Sequence, residues 1–193
     1  EKANAVISGI LASGIPDIIA SNLTITSATG ASLQTDVATL NINNSTAGTV
    51  SVLDTGTGPL TADVLNPGRP IQLSVNGGPL SIGVINGSLV NLQANSITDA
   101  NAAALNITAG TLTYNAPAGF GTYTDPLETQ VANLVIPAGT TSGDIGIINN
   151  GNINFGASMN TSGDINLVAT GGTLQVSGFM IGAQDIRLSG ATV

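Results

Sequence analysis

Short apolar-polar-apolar triplets, and the distances between them, constrain this chain more than any other feature. Leu23-Thr24-Ile25, Leu40-Asn41-Ile42, Val50-Ser51-Val52, Ile71-Gln72-Leu73 and Leu80-Ser81-Ile82 open the series. Leu105-Asn106-Ile107, Leu112-Thr113-Tyr114, Ile145-Gly146-Ile147, Ile153-Asn154-Phe155, Ile165-Asn166-Leu167, Leu174-Gln175-Val176 and Ile186-Arg187-Leu188 continue it. A period of two is the pattern of a strand with one face inward. Gly, Pro, Asn, Ser or Thr ends each unit before two helical turns could form. The chain therefore reads as all-β, built from strands of three to five residues.

The spacing of the triplets selects the architecture. Gly143-Asp144-Ile145, Gly163-Asp164-Ile165 and Gln184-Asp185-Ile186 recur at intervals of 20 and 21. A unit of about 20 residues carrying two or three short strands matches one coil of a parallel β-helix, a β-solenoid whose equivalent positions stack ~4.8 Å apart. This predicts a single continuous solenoid over residues 1–193, with about nine coils and a rod roughly 40 to 45 Å long.

A longer repeat overlies the coils. Leu33-Gln34-Thr35-Asp36-Val37-Ala38-Thr39-Leu40 resembles Leu127-Glu128-Thr129-Gln130-Val131-Ala132-Asn133-Leu134, 94 positions later. It suggests two related blocks, at approximately 20–110 and 111–193, and it keeps a rival fold open. Two tandem Ig-like β-sandwiches would also fill the chain, but they call for longer strands and a buried aromatic anchor, and there is no Trp.

Composition excludes whole classes of function. Three Lys+Arg stand against 11 Asp+Glu, a net charge of -8. Neither the phosphate neutralisation that nucleic acid requires nor attraction to anionic lipid can be supplied. No apolar run approaches the ~20 residues that span a bilayer, so neither nucleic acid nor membrane insertion is expected. With no Cys and no His, disulfides, thiolate or imidazole metal sites and a Ser-His-Asp triad are absent. High hydropathy with little charge argues against disorder. Residues 1–5 carry no basic segment leading into an apolar stretch, so no signal peptide is expected there and the chain reads as a mature product or an excised piece.

Several phrases resemble the coil repeats of filamentous haemagglutinin-like proteins, which use two-partner secretion. They are Gly163-Asp164-Ile165-Asn166-Leu167, Gly171-Gly172-Thr173-Leu174 and Ala183-Gln184-Asp185-Ile186-Arg187-Leu188-Ser189-Gly190. Asp125-Pro126-Leu127-Glu128-Thr129-Gln130-Val131 looks like the linker phrase between blocks of such repeats. The resemblance implies a right-handed β-helix from a large protein secreted by Gram-negative bacteria through a partner outer-membrane pore. It further implies a role as adhesin, biofilm component or stalk. The family's N-terminal secretion motifs find only a partial echo, in Leu65-Asn66-Pro67-Gly68, so the piece reads as internal repeat material.

Three groups of residues are candidate sites. Asp144, Asp164 and Asp185 would stack about 5 Å apart, where neighbouring carboxylates repel by about 0.9 kcal/mol even at the dielectric of water. Calcium between them would relieve that repulsion; alternatively, each Asp caps a turn by accepting backbone N–H groups. No other cofactor is expected, and Arg187 beside Asp185 reads as a surface pair. Tyr114, Phe120 and Tyr123 fall near or within a Gly/Pro-containing segment, residues 115–126, that interrupts the coil rhythm. They could form an interaction loop, or fold back to plug the core. Asn149, Asn150, Asn152, Asn154 and Asn166 are candidates for amide ladders. Asn22, Asn44, Asn86, Asn106 and Asn160 each open an Asn-x-Ser/Thr acceptor sequence.

No enzyme is expected. A β-helix lyase needs a base and cations that three scattered basic residues cannot provide, and an inverting hydrolase needs carboxylates about 6.5 to 9.5 Å apart within a built site. The expectation is an extracellular rod segment of a bacterial surface adhesin. Its partners would be a host or neighbouring-cell glycan or protein, or copies of itself. The alternative is a subunit of a self-assembling extracellular filament.

Overall fold

Most triplets turn their two apolar residues inward, so successive strands make one wall of a narrow apolar core. Leu105-Asn106-Ile107 does not, for Leu105 is exposed and Asn106 buried, and Ile186 and Leu188 of the last coil are exposed. Val50–Asp54 and Ile71–Val75 alternate strictly between buried and more accessible positions. The computed structural model describes residues 7–8, 15–136, 140–156, 159–178, 180–182 and 185–193. Among them there is no helix: the chain is an all-β parallel solenoid of about seven coils, each of about 21 residues.

Three sides wind around the core. On side A, Ala31, Val50, Ile71, Val90, Leu112, Leu134, Phe155 and Val176 follow one another in one ladder. On side B the order is Leu60, Leu80, Ile97, Phe120, Ile145, Ile165 and Ile186. On side C it is Ile25, Ile42, Val64, Ile85, Ile107, Thr129, Asn149 and Ala169. The path runs A to B to C and returns to A one rung higher. Nearly all of these residues are buried, and each fully buried Leu or Ile contributes roughly 1.5–3 kcal/mol. The pairing is parallel throughout the described ladders, whereas Ig-like sandwiches are antiparallel. That alternative is set aside.

Seven coils rather than nine follow from where the chain is spent. Residues 100–106 and 121–126 form two excursions at the corner between sides B and C. In the coil below, Ile82 and Ile85 are three positions apart; their partners Asp99 and Ile107 are eight apart. The excursion consumes sequence without adding a rung. In the last three coils a short extra sheet, Thr140–Thr141, Met159–Thr161 and Met180–Gly182, forms between sides A and B.

Glycine permits the closest corners. A Cβ on Gly48, whose φ is +82°, would lie 2.0 Å from the Thr29 carbonyl oxygen of the neighbouring coil. At Gly163 it would meet Gly143 backbone at 2.7 Å, which explains the Gly before Asp164.

The 94-residue repeat does not superpose coils. Ninety-four positions are about four and a half coils of 21, so the phrase returns part of a turn around the rod. Leu33 lies on side A and Leu40, paired with Ala62, on side B. Leu127 precedes the side C residue Thr129, and Leu134 lies on side A. One phrase therefore turns the A-to-B corner the first time and the C-to-A corner the second. Ile107–Asn115 runs through residue 110 as one strand.

Candidate functional site

The three aspartates stack as one column and are tied to one another through the backbone. Asp164 N–H donates to Asp144 Oδ1 at 2.9 Å, and Asp185 N–H donates to Asp164 Oδ1 at 3.0 Å. The Asp144 and Asp164 carboxylates thus each cap the amide one coil above. The same device recurs where Val84 N–H meets Asp63 Oδ1 at 2.7 Å and Thr173 N–H meets Asn152 Oδ1 at 2.8 Å. A corner amide that has left the strand ladder needs an acceptor, and Asx side chains reach it. One oxygen of Asp144 and one of Asp164 are engaged in this way, and among the described residues no three acidic side chains converge as a metal-holding group.

The aromatic candidates separate. Tyr114 and Phe120 are fully buried and stacked, with ring centroids 3.8 Å apart. Tyr114 lies inside side A and Phe120 inside side B, so the stacked pair bridges the core. The Tyr114 hydroxyl has no hydrogen-bond partner, and burial drives its phenol far above its ordinary range. Tyr123 is 51% exposed. Its excursion lies against the outer wall of side B: a Cβ on Gly146 would touch the Thr122 backbone. The Arg187 guanidinium sits 4.4 Å from the Tyr123 ring centroid and pairs with Asp185 at 2.7 Å. That exposed ion pair contributes little by itself; together with the ring contact it pins the excursion to the rod.

Two carboxyls, Asp54 fully buried and Glu128 half-buried, were not singled out by the sequence. Asp54, 1% exposed, accepts from Thr35 Oγ1 at 2.9 Å and Val37 N–H at 3.1 Å. Burial, and secondarily the Asp36 charge, push its carboxyl above the usual carboxylate range. Glu128 lies beside both excursions. Burial raises its carboxyl too, helped by the charges of Asp99 and Asp125. Asp99 Oδ1 is bonded to Asn101 N–H and Asn106 Nδ2. No triplet contains these acids, because the excursions bring Asp99 and Asp125 to Glu128.

Asparagines act mainly as internal ties. Asn44 Nδ2 donates to Asn66 Oδ1 at 2.7 Å, linking adjacent coils, and Asn133 and Asn154 form a second, longer tie of 3.5 Å. Asn44 and Asn106 are buried with their amides engaged, so neither offers a free nitrogen for glycosylation. Asn22 is exposed, and the side chain of Asn160 lies outside the described residues.

Side A differs from the other two in its chemistry. Among the described residues of the ladder from Val50 to Val176, the only carboxylate in its side A stretches is Asp54, which points inward. Two open grooves lie at its margins. One, of about 340 Å³, has Asn76, Gln93, Asn95 and Asn115 at its rim, with apolar surface from Leu53 and Pro117. The other, of about 290 Å³, has Gln72, Asn91, Thr111 and Thr113 around Leu89 and Pro70. The sequence held a signal for this surface, the uncharged middle residues Ser51, Gln72, Thr113, Asn154 and Gln175, but only the ladder places them on one side.

No family model, curated protein or solved structure matches the chain. What is established is a β-solenoid.

Proposed function

We propose that the chain is a rod-like repeat segment of a large extracellular bacterial surface protein, and that it acts in reach and surface contact rather than catalysis. The observation that supports this most directly is the uninterrupted side A ladder from Ala31 to Val176. Every step repeats the last, so length is gained by adding coils, and each coil contacts mainly its neighbours. The resemblance of the Gly-Asp-Ile phrases to filamentous haemagglutinin-like repeats points the same way, towards a secreted, cell-surface location. Parallel coils with little charge stack without repulsion, and the buried apolar columns resist bending.

The test is retention of beads coated with the chain on cell monolayers and on bacterial biofilms. Sedimentation velocity is run alongside across a wide concentration range, with calcium and with chelator. Retention above bare beads, from a protein that is monomeric in both buffers, is expected. Absence of retention on every surface would overturn the contact role. Growth into uniform fibres would replace it with the filament-subunit reading, and growth only with calcium would make ligands of the aspartate column.

A further inference from the structure

We propose that side A is a binding surface for an uncharged polysaccharide, with the two grooves at its margins as saccharide subsites. This rests on the surface-contact reading above and names its partner.

The argument begins with where charge is missing. The chain carries 11 acidic residues, yet none points outward from side A between the strands at Val50–Asp54 and Leu174–Val176. Asp63, Asp99, Asp144, Asp164 and Asp185 all belong to side B or its corners. With a net charge of -8, a polyanion is repelled from every direction. Neither groove has a cation in its lining to offset that repulsion. An acidic glycan, a nucleic acid and an anionic lipid are therefore poor occupants.

What the side does offer is amide and hydroxyl groups beside small apolar surfaces. Gln93 and Asn115 are exposed and stacked in register on adjacent coils, so their donors and acceptors repeat along the axis. A pyranose ring presents the complementary set: hydroxyls at its equator, which pair with amides in both directions, and C–H faces that rest on apolar surface. In the first groove Leu53 and Pro117 supply that surface, and in the second Leu89, which is 55% exposed, supplies it. A polymer chain lying across the ladder would engage both grooves at once, and weak subsites would then add through effective concentration. A second copy of this chain fits less well. Two such sides laid face to face meet as identical surfaces, and the concave grooves of each would find no projection to fill them.

The experiment uses the whole chain with cellohexaose, laminarihexaose and mannohexaose as neutral probes and polygalacturonate as the acidic one. Side-chain amide NMR signals are followed in titrations, on samples whose shape is checked by sedimentation velocity. At least one neutral probe is expected to shift Gln72, Asn91, Gln93 and Asn115, and polygalacturonate is expected to shift none of them. The double variant Asn91→Asp with Gln93→Glu is expected to lose at least tenfold in affinity. Thr61→Glu, an exposed change on side B, is expected to leave it within twofold. No shift with any neutral probe at millimolar concentration overturns the proposal, as do shifts confined to sides B and C. Shifts that depend on protein concentration without sugar overturn it in favour of self-association. A monomer that is retained on cells yet binds no neutral probe fails this proposal while leaving the surface-contact reading standing.

Discussion

The two copies of the corner phrase solve one packing problem with opposite chemistry. At the first corner Asp54 Oδ1 accepts from Thr35 Oγ1 and Val37 N–H; at the second Asn149 Oδ1 accepts from Thr129 Oγ1 at 2.9 Å and Val131 N–H at 2.8 Å. Below each, an Asx from the previous coil takes the amide of the residue before the Thr: Asp17 for Gln34 and Asn106 for Glu128. The acids and amides have exchanged places. The first corner has acidic plugs around a neutral Gln34, and the second has amide plugs around an acidic Glu128. Gln34 Oε1 and Glu128 Oε2 are both buried without a partner.

What decides acid or amide is the turn that follows the plug. After Asn149 the chain offers carbonyls, and Asn149 Nδ2 donates to those of Gly151 and Asn152 at 3.3 and 3.2 Å. After Asp54 it offers the Gly56 amide, a donor to the Asp54 carboxylate. An Asn can satisfy carbonyls and an Asp can satisfy amides, so the sequence of the turn dictates the plug.

The sharpest way to break this comparison is to remove the plugs. Asn149→Ala strands two buried donors and two carbonyls, and we expect it to cost about 3 kcal/mol, since each orphaned buried group costs roughly 1–3 kcal/mol less whatever relaxation recovers. Asp54→Ala strands the corresponding two donors and the Gly56 amide but removes a desolvated carboxylate, so its cost is expected to be smaller. Urea midpoints at constant m-value measure both; equal losses would mean that the charge at Asp54 has no energetic consequence.

A double-mutant cycle sharpens the point. Thr35→Val combined with Asp54→Ala reports the Thr35–Asp54 coupling, and Thr129→Val combined with Asn149→Ala reports its counterpart. Because hydrogen bonds to charged groups contribute about 1.5–3 kcal/mol and neutral ones about 0.5–1.5 kcal/mol, the first coupling is expected to exceed the second by about 1 kcal/mol. The reverse order would break the assignment of roles to the two corners.

Much of the fold was legible because periodicity encodes it directly. The triplets Val50-Ser51-Val52, Ile71-Gln72-Leu73 and Ile165-Asn166-Leu167 all became rungs, and the 20–21 interval became the coil. The corner phrase was visible as a repeat, but its offset concealed that it turns different corners. Only hydrogen-bond partners 17 to 20 positions away reveal what Thr35 and Thr129 do. The aspartate column was legible as a column because its spacing equals the coil, and its role as a chain of amide caps needed the backbone geometry. The side A surface was the least legible, since a missing charge leaves no motif and becomes a feature only when eight rungs share one face.

Between the corners lies the stacked pair that the two phrases bracket. Tyr114→Phe keeps the ring on Phe120 and removes a buried hydroxyl without a partner. We expect stabilisation by about 1 kcal/mol, the scale of the penalty for an unsatisfied buried hydroxyl, read as a rise in urea midpoint. A loss of stability instead would mean that the hydroxyl has a partner in solution and that the middle coils are tied as the corners are.

The smallest effect separates the corners by pH. Asp54 and Glu128 both have carboxyls raised in the folded chain by burial, so the folded state holds their protons more tightly than the unfolded state does. Their contribution to stability is fully present below the ordinary carboxylate values, 3.8 for Asp and 4.5 for Glu, and is lost as pH rises through the raised folded values. Acidifying from neutrality should therefore recover stability from each corner separately. Asp54→Asn is expected to remove the first corner's share and Glu128→Gln the second's, each flattening part of the pH dependence while the double variant flattens both. The measurement is the urea midpoint from pH 7 down to pH 4 in the four proteins. If the two shares add, the corners are independent devices separated by four and a half coils; if removing one erases both, the coils between them transmit strain, and the corner phrase acts on the rod as a pair.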